Sequence, residues 1–240
     1  MSPFSPLLAP PAPDTPFPAG HRLEGLEGPI DELRATGRMC HARGWSLGTS
    51  SNYSVVLGRE PLELLVTASG KDKGALGRED FVRIDAAGRP TAPNQPKSSA
   101  ETMLHVVLAR LPDVGAVLHT HSPWCTVLSD LFFAEGCLEF EGYEMLKGLA
   151  GITTHETTER LAIFENTQDI PQLAEEVSRR LAEDDPALRH GFLIRKHGMY
   201  TWGEDLAEAR RHVEIIEFLL ECVGRKMMIG PAARGLGLET

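Results

Sequence analysis

The chain has 240 residues, 42% of them hydrophobic, which is enough to build one large core. Its formal net charge of −10 argues against nucleic acid as the main partner. No apolar run is long enough to span a bilayer, and the first residues lack the basic and apolar regions of a signal peptide, so we expect neither a membrane partner nor secretion. The four scattered cysteines form no C-x-x-C pair, which favours reduced thiols in a cytoplasmic protein.

The first segment is rich in proline, which can neither continue a helix nor pair centrally in a sheet. We therefore expect a tail or extended arm over residues 1–28. No repeat or long linker divides the remainder, so residues 29–228 are predicted to form one domain, followed by a short tail over 229–240.

The predicted elements begin with a helix over residues 30–42 and strands over 53–57, 63–67 and 81–85. A helix over 99–110, a buried strand ending at residue 120 and a helix through 131 follow. A strand over 161–164, a helix over 170–182, strands over 191–197 and 200–203, and a long helix over 205–225 complete the chain. Because the order lacks strict βαβ alternation, we expect an α/β fold with three αβα layers around a largely antiparallel sheet.

Two histidines stand at the end of the buried strand that closes at residue 120. His119 and His121 are two residues apart, and side chains at that spacing point to the same side of a strand. Two neutral imidazoles on one side are half of a transition-metal site, although a polar strand end would give the same pattern.

A third histidine, His197, ends the predicted strand over residues 191–197 and precedes a glycine turn. Three histidines at two strand ends fit a catalytic zinc site whose fourth position stays open to water or substrate. Alone, His197 would be an ordinary turn residue.

These residues resemble the class II aldolase/adducin superfamily. The resemblance covers residues 31–223 and rests on the His119-x-His121 pair and on the turn from Arg195 to Trp202 and Gly203. The stretches over residues 97–102, 143–148 and 165–167 are similar to its methylthioribulose-1-phosphate dehydratase branch. The resemblance implies a class II aldolase-like homotetramer with sites near subunit interfaces and one Zn²⁺ or other divalent metal per subunit. It implies dehydration of a phosphorylated ketose, 5-methylthioribulose 1-phosphate, in methionine salvage.

Three loops rich in small residues are candidates for holding the substrate phosphate. They lie at residues 48–52, 67–71 and 97–99, and backbone N–H groups in such turns can bind anions. Each loop alone is usually only a turn. The resemblance assigns phosphate binding to Asn52, Ser69, Gly70 and Ser99. Ala100 departs from the second serine of the aldolases, as expected in the dehydratase branch.

The resemblance offers two acid–base candidates. Glu144 matches the acid/base of the dehydratases, and Glu101 holds the position of the catalytic glutamate of the aldolases. We favour Glu144 for proton transfer, with Glu101 as a metal ligand in the absence of substrate or as a second catalytic group. Tyr143 is a hydroxyl donor or a packing residue. His105, one helical turn after Glu101, is a candidate neighbour of the site rather than a ligand.

Two alternatives remain open from the sequence. One is an aldolase or 4-epimerase acting on a sugar phosphate, such as a fuculose or ribulose phosphate, with the same metal and Glu101 as the base. The other is a non-enzymatic, adducin-like assembly module. The three intact histidines argue against the module, because a purely structural domain has no need of an open metal site.

Overall fold

The computed structural model describes residues 16–235. Five α-helices pack against one sheet of eight strands within this range. The helices are α1 (Glu27–Ala42), α2 (Thr102–Ala109), α3 (Pro123–Leu131), α4 (Ile170–Ala182) and α5 (Leu206–Gly235). The strands are β1 (Asn52–Arg59), β2 (Leu62–Thr67), β3 (Phe81–Asp85), β4 (Ala116–Thr120), β5 (Cys137–Glu141), β6 (Thr158–Phe164), β7 (Gly191–Ile194) and β8 (Gly198–Gly203).

The strand order across the sheet is β3-β2-β1-β4-β8-β7-β6-β5. Every neighbouring pair is antiparallel except β6 and β7, which run parallel. The largely antiparallel sheet predicted from the sequence is therefore confirmed. Strand β4 lies at the centre, and its His119 is directly opposite Asn52 of β1 on one side and Tyr200 of β8 on the other.

Apolar cores on both faces of the sheet divide the molecule into three layers. On one face, α1, α3 and α5 pack against sheet residues such as Leu118 and Met199. On the other face, α2 and α4 pack against residues such as Val117 and Tyr200. Alternation along β4 sends Leu118 to the first face and Val117 with His119 to the second. This is the three-layer αβα arrangement expected from the sequence.

Several elements differ from the sequence prediction. The strand predicted to reach residue 197 ends at Ile194, because Lys196 adopts a φ of 55° that no strand accommodates, so His197 lies in a turn. The helix expected from residue 99 begins at Thr102, whose hydroxyl donates to the Ser99 carbonyl in a preceding turn. Strand β5 was not predicted, and α5 continues beyond residue 225 to Gly235.

Part of the predicted N-terminal tail packs on the domain. Leu23 is fully buried in the first core, and the Phe17 backbone amide donates to the Glu27 carboxylate at 2.8 Å. Residues 1–15 of that predicted tail lie outside the described residues. Across the described part of the chain, none of the helices combines the length and the apolar character needed to cross a membrane.

Candidate metal and substrate site

Three histidines converge where β4 ends and the β7–β8 turn passes it. We call His119, His121 and His197 the histidine cluster, because one ring nitrogen from each lies within 4.8 Å of the others. No other group of three metal-binding side chains comes this close in the described chain. The two-residue spacing at the strand end thus places both rings on one side, and the turn supplies the third.

Burial keeps the strand histidines neutral. It holds the pKa of His119 well below its ordinary value of 6.5 and lowers that of His121 to about 3. The Nδ1–H of His119 donates to the Met199 carbonyl at 3.0 Å, which leaves Nε2 as the free lone pair facing the cluster. That Nε2 lies 2.8 Å from Nε2 of His121. Neutral imidazoles with converging lone pairs are the donor set that a divalent metal needs.

Glu101 closes the site from the start of α2. One carboxylate oxygen lies 3.4 Å from Nε2 of His119, and the other lies 3.4 Å from Nε2 of His197. The second oxygen, Oε1, is buried and has no hydrogen-bond partner in the described chain. A buried carboxylate oxygen without a partner is costly unless a cation or donor meets it. The residues present therefore fit a bound metal ion.

A hydrogen-bonded chain runs from the core to Glu101. The Asn52 amide donates to Glu101 at 2.9 Å and to the Ser99 hydroxyl at 3.2 Å. Its carbonyl oxygen bonds Nε2 of buried His105, whose Nδ1 lies 2.7 Å from the Ser54 hydroxyl. Because burial lowers the pKa of His105 to about 4, the ring is neutral, and it donates to Asn52 and accepts from Ser54. This chain fixes which way the Asn52 amide faces.

The three candidate phosphate loops meet beside this chain. Asn52 and Ser99 connect the first loop to the third. The Ser69 backbone amide donates to the Lys97 carbonyl at 2.8 Å, which joins the second loop to the third. Gly70 follows with a φ of 70°, a conformation that glycine adopts without strain. All four residues assigned to phosphate binding by resemblance thus lie on connected loops.

Glu144 lies apart from these groups. It begins a 3-10 helix, Glu144–Gly148, in the connection between β5 and β6, and its side chain is 69% exposed. Its carboxylate pairs with Lys147 at 2.7 Å and with His155 at 3.1 Å, and the Lys147 hydrogen bond lowers its pKa. Within the described chain it forms no hydrogen bond or ion pair with the histidine cluster. Tyr143 is half-buried and packs against the first core.

Two features of the site were missed from the sequence. Lys73 is almost fully buried, its ammonium donates to the Lys71 carbonyl at 2.6 Å, and burial lowers its pKa to about 8. Its position shortly after Gly70 was the available signal, but a Lys-Asp-Lys run normally indicates a solvated surface. Tyr200 stacks on His119 with ring centroids 4.1 Å apart. Only the register of β8 against β4 reveals that contact.

The sequence profile described as Class II Aldolase and Adducin N-terminal domain matches residues 31–223. The chain belongs to the class II aldolase and adducin family. Among its curated relatives, the methylthioribulose-1-phosphate dehydratase of Sorangium cellulosum is 48% identical over 192 residues, which cover 80% of this chain and 89% of the relative. The protein of the same name from a Picosynechococcus species is 42% identical over 203 residues, covering 84% and 93%.

Solved structures of the family share the fold. An L-fuculose 1-phosphate aldolase superposes with a TM-score of 0.66 at 21% identity, covering 82% of this chain and 86% of that one. The L-fuculose-1-phosphate aldolase of Thermus thermophilus gives 0.63 at 20% identity, covering 85% and 95%. The family and the fold class predicted from the sequence are both confirmed.

Proposed function

We propose that the chain dehydrates 5-methylthioribulose 1-phosphate to 2,3-diketo-5-methylthiopentyl 1-phosphate. The observation that carries this proposal is the histidine cluster beside the unpaired Glu101 oxygen, in a chain 48% identical to a protein named as this dehydratase. The names of the curated relatives favour the dehydratase over the aldolase alternative, because the aldolase alternative rests on solved structures that are no more than 22% identical to this chain.

One Zn²⁺ per subunit is the proposed cofactor, held by His119, His121 and His197. When bound, the metal stabilises negative charge that develops on the substrate oxygens at C2 and C3. Glu101 is proposed as a further ligand while substrate is absent, since its carboxylate already faces two cluster rings at 3.4 Å. Three imidazoles also bind other divalent metals, which are alternatives at this site; zinc is proposed because three histidines with an open fourth position are a known catalytic zinc ligand set.

The phosphate is proposed to bind at Asn52, Ser69, Gly70 and Ser99. Their support is the connection of the three loops through hydrogen bonds to Ser99 and Lys97. Backbone amides and hydroxyls are suited to this role in an acidic protein, because they supply local donors where the global charge repels the anion.

Dehydration requires a base for the C3 proton and an acid for the departing C4 hydroxyl. The C3–H electron pair forms the C2–C3 double bond of an enediol as the electrons of the C2 carbonyl move to its oxygen. The C2 carbonyl then re-forms, the C2–C3 pair moves to C3–C4, the C4–O bond breaks, and the hydroxyl leaves as water after receiving a proton. The resulting enol loses its O–H proton and gains a proton at C4, which gives the diketone. Glu144 is proposed to move these protons because it matches the acid/base glutamate of the dehydratase branch that the chain resembles. Glu101 is the second candidate.

The proposed assembly is a homotetramer with sites near subunit interfaces. The exposure of Glu144 supports this arrangement, because a surface carboxylate is available to the site of a neighbouring subunit. We place the enzyme in the cytoplasm, in methionine salvage, and its catalytic domain at residues 29–228.

A side-by-side assay tests the proposal. Purified protein loaded with Zn²⁺ is given 5-methylthioribulose 1-phosphate in one reaction and L-fuculose 1-phosphate in another. We expect loss of water from the first compound and no carbon–carbon cleavage of the second. Cleavage of fuculose 1-phosphate without dehydration of the ketose would instead establish the aldolase alternative, with Glu101 as its base.

A further inference from the structure

The third histidine of the cluster is positioned differently from the first. His119 has its outer ring nitrogen fixed by the Met199 carbonyl. His197 has no such bond: in the described chain, the ion pair and ring contacts of its side chain are with the Glu101 carboxylate and the other two cluster histidines. The direction of the His197 ring must therefore be set by the backbone of the turn that carries it.

Helix α3 holds that turn through successive side chains. The Ser129 hydroxyl accepts from the Lys196 backbone amide at 3.1 Å, at the residue with a φ of 55°. Asp130 accepts from the Arg195 guanidinium at 2.8 Å. The Thr126 hydroxyl donates to the carbonyl of His197 itself at 3.0 Å. Residues 195, 196 and 197 are thus each bonded to one turn of a single helix.

The same helix begins at the other end of the cluster. Ser122, the residue after His121, is its N-cap and accepts from the Cys125 amide at 3.0 Å. The Thr126 hydroxyl has a single proton, which it shares between the Ser122 carbonyl at 2.8 Å and the His197 carbonyl at 3.0 Å in a bifurcated hydrogen bond. One hydroxyl therefore bonds both the carbonyl of His197 and the carbonyl of Ser122, the residue after His121. It links two cluster histidines that are distant from each other in the sequence.

We propose that Thr126 and Ser129 are positioning residues for the metal site, which fix His197 relative to His121 without touching metal or substrate. This inference rests on the proposed metal-binding function. Partners that orient a metal ligand usually contribute substantially to affinity, because a misdirected ring must be reoriented when the ion binds.

The test compares four variants of the full chain. Thr126→Val removes the hydroxyl at nearly constant shape, and Thr126→Ser restores it. Ser129→Ala removes the acceptor of the Lys196 amide. Ser178→Ala on α4 is the matched control, since Ser178 is a half-buried helix serine on the opposite face of the sheet from α3. Zn²⁺ affinity is measured by competition with a chelator, and the visible spectrum of the Co²⁺-loaded protein reports ligand geometry.

We expect Thr126→Val and Ser129→Ala to bind Zn²⁺ roughly 10–100-fold more weakly and to shift the Co²⁺ spectrum, as loss of an orienting partner does elsewhere. Thr126→Ser and Ser178→Ala should match the unmodified protein. Thermal unfolding of the metal-free variants shows whether a substitution destabilises the whole fold. Thr126→Ser keeps the hydroxyl, so it should bind Zn²⁺ with normal affinity even if its stability changes.

A His197→Ala variant distinguishes a failure of the positioning role from a failure of the metal site itself. If it loses Zn²⁺ while Thr126→Val and Ser129→Ala bind normally, the positioning role is wrong and the metal site stands. If the unmodified protein itself takes up no Zn²⁺, the proposed function fails, and the positioning role fails with it.

Discussion

At the scale of single residues, the site combines side chains that burial has made neutral with one carboxylate, of which a single oxygen lacks a hydrogen-bond partner in the described chain. His119 and His121 have lowered pKa values, and Glu101 places an unpaired oxygen beside them. The histidine pair could be predicted because its spacing is local. The bonds from Asn52 to Ser99 and Glu101 could not, since they join residues 47 and 49 positions apart.

The two glutamates should respond differently to removal of their charge. Glu144→Gln is expected to lower turnover by roughly 10²–10⁴-fold, the usual contribution of a positioned acid–base group, while zinc content stays normal. Glu101→Gln should instead change zinc affinity, because its carboxylate faces the cluster. Turnover, zinc content and exchange of the C3 proton with solvent are measured in both. Normal turnover in Glu144→Gln, with exchange lost only in Glu101→Gln, would reverse these roles.

A negative charge in the phosphate loops should oppose the substrate. Ser99→Asp is expected to raise KM on the order of 100-fold, since placing like charges together costs several kcal/mol. Ser69→Asp should act in the same direction, and zinc content should stay near normal in both. Ser178→Asp on α4 is the control for adding an acidic residue outside these loops. Unchanged KM in both loop variants would place the phosphate elsewhere.

At the scale of elements, the sequence predicted which segments are helices and strands better than where they end. The five helices have apolar stripes or caps that are local, such as the Asp169 side chain that accepts from Gln172 at the start of α4. The end of β7 depends instead on Ser129 and Asp130 of a distant helix. Strand β5 was missed because it is only five residues long, although buried Leu138 and Phe140 alternate with exposed Glu139 and Glu141 in it.

Helix α5 carries a buried carboxyl that should make stability depend on pH. Burial raises the pKa of Glu217 from an ordinary 4.5 to about 7, and neither of its oxygens has a hydrogen-bond partner in the described chain. Because the folded protein holds this proton more tightly, its stability falls as the pH rises from 4.5 to about 7 and is then constant. Above about pH 7, the charged Glu217 lowers the free energy of unfolding by about 3 kcal/mol at most, from roughly 1.36 kcal/mol per pKa unit.

Glu217→Gln should therefore flatten the fall in the free energy of unfolding between pH 4.5 and about 7, and its stability relative to the unmodified protein should be greatest above about pH 7. Urea unfolding across this range measures the effect. Glu176→Gln, an exposed residue of α4 on the opposite face of the sheet, is the control and should leave the slope unchanged. An equal slope in Glu217→Gln would show that Glu217 does not hold a proton in the folded state.

At the scale of the whole molecule, the central strands β1, β4 and β8 bring the loops, the histidines and Tyr200 together. Family membership and fold class were predictable, because the histidine motifs and loop sequences are specific to the family. The oligomeric state was not predictable from composition. In the proposed tetramer, it determines which subunit's site Glu144 serves.

Mixed oligomers test that arrangement. Chains carrying Glu144→Gln and chains carrying His197→Ala are each expected to be inactive alone. Co-assembled, they should regain roughly a quarter of the unmodified rate, since that share of sites in a random mixture pairs an intact cluster with an intact Glu144 from a neighbour. Mixtures of each variant with itself are the controls. If co-assembly restores nothing, Glu144 serves the site of its own subunit.

The most direct measurement for the central claim is a zinc titration of chelator-treated protein with 5-methylthioribulose 1-phosphate as substrate. The histidine cluster predicts that dehydration is absent without metal, rises with added Zn²⁺ and stops rising at one ion per chain. Full dehydration by protein shown to be free of metal would contradict the account, and so would a fully zinc-loaded protein that leaves this substrate unchanged.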